Sequence, residues 1–347
     1  MRHLIVPEDL SAHEIEAVFA VSRDLEEKYA AGRRDALLPG RVLALVFEKP
    51  SLRTRVSFEA AMVHLGGSSL FLGQDAGFSS SRESIADFGR VLSEYVDVIV
   101  CRSKAHATIE RLAEAASVPV INGLSDYCHP CQALADIYTL KAHVGRVAGH
   151  TLAFVGDGNN MARSLAVVCG LLGMRFVLAA PPGYQFDDAF RAHLKTLLPR
   201  AEIEETTDPQ AAVESAAVVY TDVWTSMGQE AERARRLEDL KPYQVNEALM
   251  ARCPDYAAGQ PHQAAPEDIA RYFGPAPTRH VSLRYEQQFD HEGLKGRLLS
   301  SSYTPKAGDP AREPLLDALR ALFDRHQQDG HVVFAYDTRA WIARLRD

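Results

Sequence analysis

Cysteine is scarce in this sequence, with 5 in 347 residues, and tryptophan scarcer, with 2. The cysteines (Cys101, Cys128, Cys131, Cys169, Cys253) are odd in number and scattered, which argues against a disulfide-stapled scaffold and fits a reducing cytoplasm. Long apolar runs are missing as well. A membrane span needs about 20 consecutive apolar residues. The best stretch, Leu165 to Met174, stops at Arg175, and Pro181-Pro182 follow. The first residues, Met1 to Asp9, have no apolar core and turn acidic at once, unlike a signal peptide. Basic charge is in deficit too: 38 Lys and Arg against 46 Asp and Glu leave a formal charge of −8. Nucleic acid and other polyanions are therefore not expected partners, nor is a membrane. A small anion stays open, because a few converging arginines outweigh a mildly negative surface locally.

What is present is an ordinary globular composition, 46 % hydrophobic and 24 % charged. At roughly 150 residues per domain the length suggests two domains. Ser11-Ala12-His13-Glu14 reads as a capping box opening a helix that runs to about Ala31. Arg41 to Phe47 is a short apolar run of buried-strand type, broken by Glu48-Lys49-Pro50; a helix from Ser51 to His64 follows. Strands at Ser69–Leu72, Val96–Cys101 and Val118–Asn122 alternate with helices at Ile85–Tyr95 and Thr108–Ala116. The polar stretch Gly73 to Ser84 reads as a loop. After a longer helix to Val144 a second series begins: strand Thr151–Val155, helix Met161–Leu172, strand Phe176–Ala180, helix Asp187–Leu198, strand Val218–Asp222. The expected fold is α/β, with two domains, each a mainly parallel sheet with helices on both faces. The expected divisions are 1–146, 147–310 and 311–347. Past Asp255 the pattern is irregular, except for a helix at Leu315–His326 and a late strand at Val332–Tyr336.

Several short segments carry chemistry. Ser51-Leu52-Arg53-Thr54-Arg55 sits between a buried strand and a helix N-terminus, where free N–H groups and the helix dipole favour an anion. Its guanidiniums and hydroxyls add donors suited to phosphate. Arg102 closes a strand and emerges into the crevice where open α/β sheets bind ligands. His129 and Gln132, in His129-Pro130-Cys131-Gln132, can both hydrogen-bond a carbonyl or amide. Cys128 and Cys131 form a lone Cys-x-x-Cys without a second pair, too little for a zinc or redox site. Gly156-Asp157-Gly158-Asn159-Asn160-Met161 invites a dinucleotide reading, but Met161 replaces the third glycine and no acidic residue closes the next strand. Its adjacent amides suit a zwitterionic ligand. Asp222, at the end of a strand in Asp222-Val223-Trp224-Thr225-Ser226-Met227-Gly228-Gln229-Glu230, can hold an ammonium group.

Together, and in this order over about residues 40 to 250, these segments resemble those of the aspartate/ornithine carbamoyltransferase family. Ser51 to Arg55 resembles its carbamoyl-phosphate loop, Arg102 its lone phosphate arginine, and His129 to Gln132 its H-P-x-Q motif. Asn159-Asn160 and Asp222 to Glu230 resemble segments of the ornithine branch. The resemblance implies carbamoyl transfer from carbamoyl phosphate to the side-chain amine of L-ornithine, giving L-citrulline and phosphate. Ser51, Leu52 (through its backbone), Arg53, Thr54 and Arg102 would then hold the phosphate. His129, Gln132, Thr54 and Arg102 would polarise the carbamoyl carbonyl. Asn160, Asp222, Ser226 and Met227 would hold ornithine. The chemistry needs no covalent intermediate, cofactor or metal, since clamping the leaving phosphate and bringing amine to carbonyl supply the stabilisation. Trimers with shared sites are also implied, with Gly73 to Ser84 the candidate for the shared loop.

The sequence departs from the family after Leu249. The ornithine branch's His-Cys-Leu-Pro, whose Cys and Leu touch both substrates, is absent. Cys253-Pro254, or His262 with Pro266, stand nearest the expected place. A carbamoyltransferase acting on another amine, or a non-catalytic carbamoyl phosphate-binding relative, therefore stays open beside ornithine carbamoylation.

Overall fold

The computed structural model describes residues 2–73, 83–225, 230–253, 278–299, 309–310 and 312–343. The chain divides into two compact units, Met1–Ala258 and Gly259–Asp347. In the first, α1 (Ala12–Ala30) begins on the expected capping box, with the Glu14 carboxylate accepting from the Ser11 N–H at 2.9 Å. There follow β1 (Val42–Phe47), α2 (Leu52–His64), β2 (Ser68–Leu72), α3 (Ile85–Ser93), β3 (Val98–Arg102), α4 (His106–Ala115), β4 (Val120–Leu124) and α5 (Pro130–Val144). The second series is β5 (Thr151–Val155), α6 (Asn160–Leu171), β6 (Arg175–Ala179), α7 (Asp188–Leu197), β7 (Ile203–Thr206), α8 (Pro209–Val213), β8 (Val218–Tyr220), α9 (Arg233–Leu240) and α10 (Glu247–Met250).

The strands form two four-stranded sheets, ordered β2-β1-β3-β4 and β7-β6-β5-β8, with every pairing parallel. Parallel strands buried on both faces require continuous apolar runs rather than alternation. β1 meets this demand. Ala44 and Val46 pack with Ile109 and Leu112 of α4, while Leu43, Leu45 and Phe47 pack with Met62 of α2 on the other face. Likewise Leu152 and Phe154 of β5 meet α5 and α6, and Ala153 and Val155 meet Ala212 and Val213 of α8.

Each order has one switch point, between β1 and β3 and between β5 and β8. There the following connections leave to opposite sides and open a crevice at the carboxyl ends. One ladder is irregular at such an end. Cys101 pairs Asn122 but Arg102 pairs Leu124, so Gly123 is an extra residue, and such a bulge re-aims side chains.

In the second unit β9 (Thr278–Phe289) and β10 (Val332–Ala343) pair antiparallel, from Thr278 opposite Ala343 to Phe289 opposite Val332. Between them lie α11 (His291–Leu299) and α12 (Arg312–His326), with the His291 and Phe323 rings 5.4 Å apart. β9, α12 and β10 thus fall in one compact unit. Among the described residues no helix is long and apolar enough to cross a membrane.

Candidate active site

A cavity of about 1280 Å³ opens between the carboxyl ends of the two sheets. Arg53, Arg102, His129, Gln132, Asn160 and Asp222, all singled out from the sequence, line it. Ser51, Leu52 and Thr54 flank Arg53 in the first turn of α2 but do not line the cavity. Ser51 caps that helix, its Oγ accepting from the Thr54 N–H at 3.4 Å and donating to Thr54 Oγ1 at 2.9 Å. Ser226, Met227, His262, Pro266 and residues 74–82 lie outside the described residues.

On the side of the first sheet the ends of β1 and β3 are stitched together by Glu48. Its N–H donates to the Arg102 carbonyl at 2.9 Å, and its carboxylate accepts from Ser103 Oγ and the Lys104 N–H. Arg102 itself is 8 % exposed. Its Nη1 reaches only the Gly123 carbonyl, at 3.5 Å, and its buried Nε has no partner. A buried guanidinium donor costs free energy unless something accepts from it. His129 is in the same condition. Its main-chain N–H donates to Ser164 Oγ at 2.8 Å, which holds the start of α5 against α6, but its buried Nδ1 is unpaired. Burial and the nearby Arg102 charge push this imidazole down to about 4, so it is neutral around pH 7.

On the other side, Asn159 caps α6, its Oδ1 accepting from the N–H groups of Met161 and Ala162. Its Nδ2 donates to Asp222 Oδ2 at 3.2 Å. Asn160 Nδ2 donates to the Ser125 carbonyl at 2.8 Å, so this expected ornithine ligand also ties the two lobes. The cavity is polarised. At the first sheet Lys49, Arg53, Arg102 and Lys104 outnumber Glu48 and Asp126, while at the second Asp157 and Asp222 stand beside Arg163 and Arg236.

Arg236, Asp136 and Tyr220 are among the lining or supporting residues that no motif marked. Arg236 of α9 is 6 % exposed, pairs with Asp157, and donates from Nε to the Trp224 carbonyl at 2.6 Å. Its spacing from Glu232, four residues back and 3.4 Å away, was the one local signal; its other partners lie 79 and 12 residues away. Asp136 accepts from Gln132 Nε2 at 2.9 Å and from the Tyr220 hydroxyl at 3.0 Å. The spacing of Gln132 and Asp136, four apart on one helix, was a signal available in the sequence. Burial pushes the Asp136 carboxyl up, and the two donors oppose this.

The cysteines do not serve the cavity. Cys128 Sγ and Cys131 Sγ donate to the carbonyls of Ile5 and Asn122, and burial raises both thiols, to about 12 and about 11. Cys253, one candidate for the missing thiol, packs instead with the apolar layer beneath the second sheet, beside Val219 and Val245. Among the described residues no thiol lines the cavity.

Two parallel-sheet lobes whose switch points share a cavity, cationic at one end and carboxylate-bearing at the other, define a class of two-lobed α/β proteins built to join an anion to an amine. The family within that class follows from comparison with known proteins. Residues 2–142 match the family model for the aspartate/ornithine carbamoyltransferase carbamoyl-P binding domain, and residues 148–258 that for the Asp/Orn binding domain. The chain is 47 % identical over 258 residues to an ornithine carbamoyltransferase of Methanopyrus kandleri, covering 74 % of this chain and 82 % of that protein. An ornithine carbamoyltransferase of Bacillus subtilis is 45 % identical, over 74 % of this chain and 80 % of its own. The solved ornithine carbamoyltransferase of Pyrococcus furiosus superposes with a TM-score of 0.70 at 44 % identity, over 74 % of this chain and 82 % of that one. The chain belongs to the aspartate/ornithine carbamoyltransferase family.

Proposed function

We propose that this chain is an ornithine carbamoyltransferase. It moves the carbamoyl group of carbamoyl phosphate to the side-chain amine of L-ornithine, giving L-citrulline and phosphate for arginine biosynthesis. The observation that carries the assignment is one cavity lined by Arg53, Arg102 and His129, in which Arg102 Nε and His129 Nδ1 are buried without a protein partner. Such groups are tolerated where a ligand completes them.

On this reading residues 1–146 hold carbamoyl phosphate. Arg53 and Arg102, with Ser51, Thr54 and the Leu52 N–H, clamp the phosphate, while Thr54, Arg102 and His129 polarise the carbonyl and Gln132 meets the carbamoyl group. The sheet from residue 147 holds ornithine through Asn160, Asp222, Ser226 and Met227. The neutral side-chain amine attacks the carbonyl carbon, a C–N bond forms, the C–O bond to phosphate breaks, and phosphate leaves with that electron pair. The amine gives up one proton, which the departing phosphate takes to leave as hydrogen phosphate. Holding the phosphate charge as it develops is where Arg53 and Arg102 stabilise the transition state.

The exposed apolar side chains of α2 and β2, Leu52 at 78 %, Val56 at 51 %, Val63 at 65 % and Leu70 at 46 %, support a homotrimer with this face at the interface. Sedimentation of Val56→Glu against the native protein tests it. The expected compartment is the cytoplasm.

The test of function is citrulline formation from carbamoyl phosphate and L-ornithine, with Arg53→Ala beside it. Citrulline made by the native protein and lost in the variant supports the assignment. Carbamoyl phosphate raising the melting temperature without citrulline moves it to another amine or to a binding role.

A further inference from the structure

Gln132 does not stand alone in the cavity. Its Nε2 donates to Asp136 Oδ1 at 2.9 Å, and the other carboxylate oxygen accepts from the Tyr220 hydroxyl at 3.0 Å. An ionised carboxylate only accepts. It therefore repels the carbonyl edge of the Gln132 amide and holds the nitrogen edge. The polarity of this amide is set here by chemistry. Because Gln132 lines the cavity, the edge left for a ligand carries Oε1, an acceptor. Tyr220, at the end of β8 and also lining the cavity, fixes the carboxylate from the opposite lobe.

We infer that Asp136 is a positioning residue that fixes Gln132 with Oε1 toward the substrate, and so makes the site select a carbamoyl group over an acetyl group. This rests on the carbamoyl-transfer reading above. It also revises the expectation that Gln132 polarises the carbonyl: Oε1 accepts from the carbamoyl NH2. Carbamoyl and acetyl phosphate match in shape and charge and differ at that one group, NH2 against CH3. With acetyl phosphate the amine would attack the carbonyl carbon in the same way, the C–O bond would break, and N-acetylornithine and phosphate would form. A methyl group there leaves Gln132 Oε1 without a donor and without its former water, which disfavours the acetyl substrate.

The experiment measures kcat/KM for carbamoyl phosphate and for acetyl phosphate, both at saturating ornithine, in native protein and Asp136→Asn. An asparagine can present either N–H or carbonyl, so the Gln132 amide is no longer held. The preference for carbamoyl phosphate is expected to fall by about tenfold, the worth of one hydrogen bond. An equal loss with both acyl phosphates would mean a merely structural role and would overturn the inference. Gln132→Leu, at an exposed position, must show the same fall, and Asp136→Asn on that background must lower the preference no further. An unchanged preference in Gln132→Leu also overturns the inference, even if Asp136→Asn does not fold. If native protein makes no citrulline, the functional reading fails by itself. The ratio of the two acyl-phosphate dissociation constants, measured by calorimetry on the same proteins, then decides the inference by the same criteria.

Discussion

The ion pair of Arg236 with Asp157 is the best place to test whether the amino-acid side of the cavity is held as described. Arg236 →Met keeps the aliphatic stem against Tyr184, whose ring lies 5.0 Å from the guanidinium carbon, and removes only the charge and donors. Both side chains are largely covered, at 7 % and 16 % exposure, so solvent screens the pair little. Removing one partner strands the Asp157 carboxylate and leaves the Trp224 carbonyl without its 2.6 Å donor. Breaking a buried pair in this way costs about 3–5 kcal/mol. For a unit of this size that corresponds to a fall of roughly 10 °C in melting temperature. The loss also carries a pH signature. Burial already pushes Asp157 upward against the pull of Arg236. Without Arg236 its folded pKa lies above the unfolded value, so the folded state binds the extra proton in that window. Stability of the variant then falls as pH rises from about 4 through the raised folded pKa, and levels off above it. Thermal denaturation of native protein, Arg236→Met, Asp157→Asn and the double variant, at pH 5 and pH 8, measures all of this. The double variant should recover most of the single-variant loss. A cost below about 1 kcal/mol for Arg236→Met, or additive losses in the cycle, would refute the claim that this pair holds the Asp157 and Trp224 segments together.

Other expectations follow from the same geometry. Arg102→Met should keep the fold, since it removes a buried charge with an unpartnered Nε, yet lower kcat/KM for carbamoyl phosphate by at least about a hundredfold, as loss of a transition-state donor does; retained activity would remove Arg102 from the site. His129, held down to about 4, should show imidazole NMR shifts that do not move between pH 5 and pH 8 in the free protein. Because its folded pKa is depressed, its contribution to stability is present above about 6.5 and lost as pH falls toward 4. Gly158→Ala would place a Cβ 2.9 Å from the Tyr184 carbonyl oxygen, so the turn before Asn159 and Asn160 must shift. Steady-state kinetics should show a raised KM for ornithine with KM for carbamoyl phosphate little changed, at about 1–3 kcal/mol of stability.

What the sequence made legible was what local pattern encodes. The runs at β1, β3 and β5 are apolar on both faces, as central parallel strands must be, and each was found within a residue or two of its bounds. β7 was not. It is an edge strand whose Glu204 and Glu205 face Arg175 and Arg191, so its composition reads as a loop. β9 escaped for a related reason: a two-stranded ribbon imposes less burial than a sheet core, and its polar residues hid it. The site shows the same division. Arg53, Arg102, His129 and Asp222 sit at strand ends or helix starts, where position alone suggests a role. Arg236 and Tyr220 act chiefly through partners far along the chain, and the Glu232 and Arg236 pair on one helix face does not by itself point to a cavity. Cys253, one of two stand-ins nearest the expected thiol, has its side chain in the apolar layer under the second sheet.

The cavity's polarity explains why two sheets are needed rather than one. A dianionic phosphate and an ammonium-bearing amino acid demand opposite fields within a few ångströms. One switch point supplies one set of strand ends. Here the first sheet concentrates cations at β1 and β3 and keeps His129 neutral, so that it can act as a hydrogen-bonding group without adding charge. The second sheet presents Asp222 and neutralises its other carboxylate, Asp157, internally through Arg236. An unpaired Asp157 would extend the anionic field toward the phosphate and oppose it. The Gln132, Asp136 and Tyr220 chain lies where the two fields meet, with donors from both lobes on one carboxylate. On the proposed reading the reacting carbon sits there, with the fixed amide reading its substituent while the two ends of the cavity read charge.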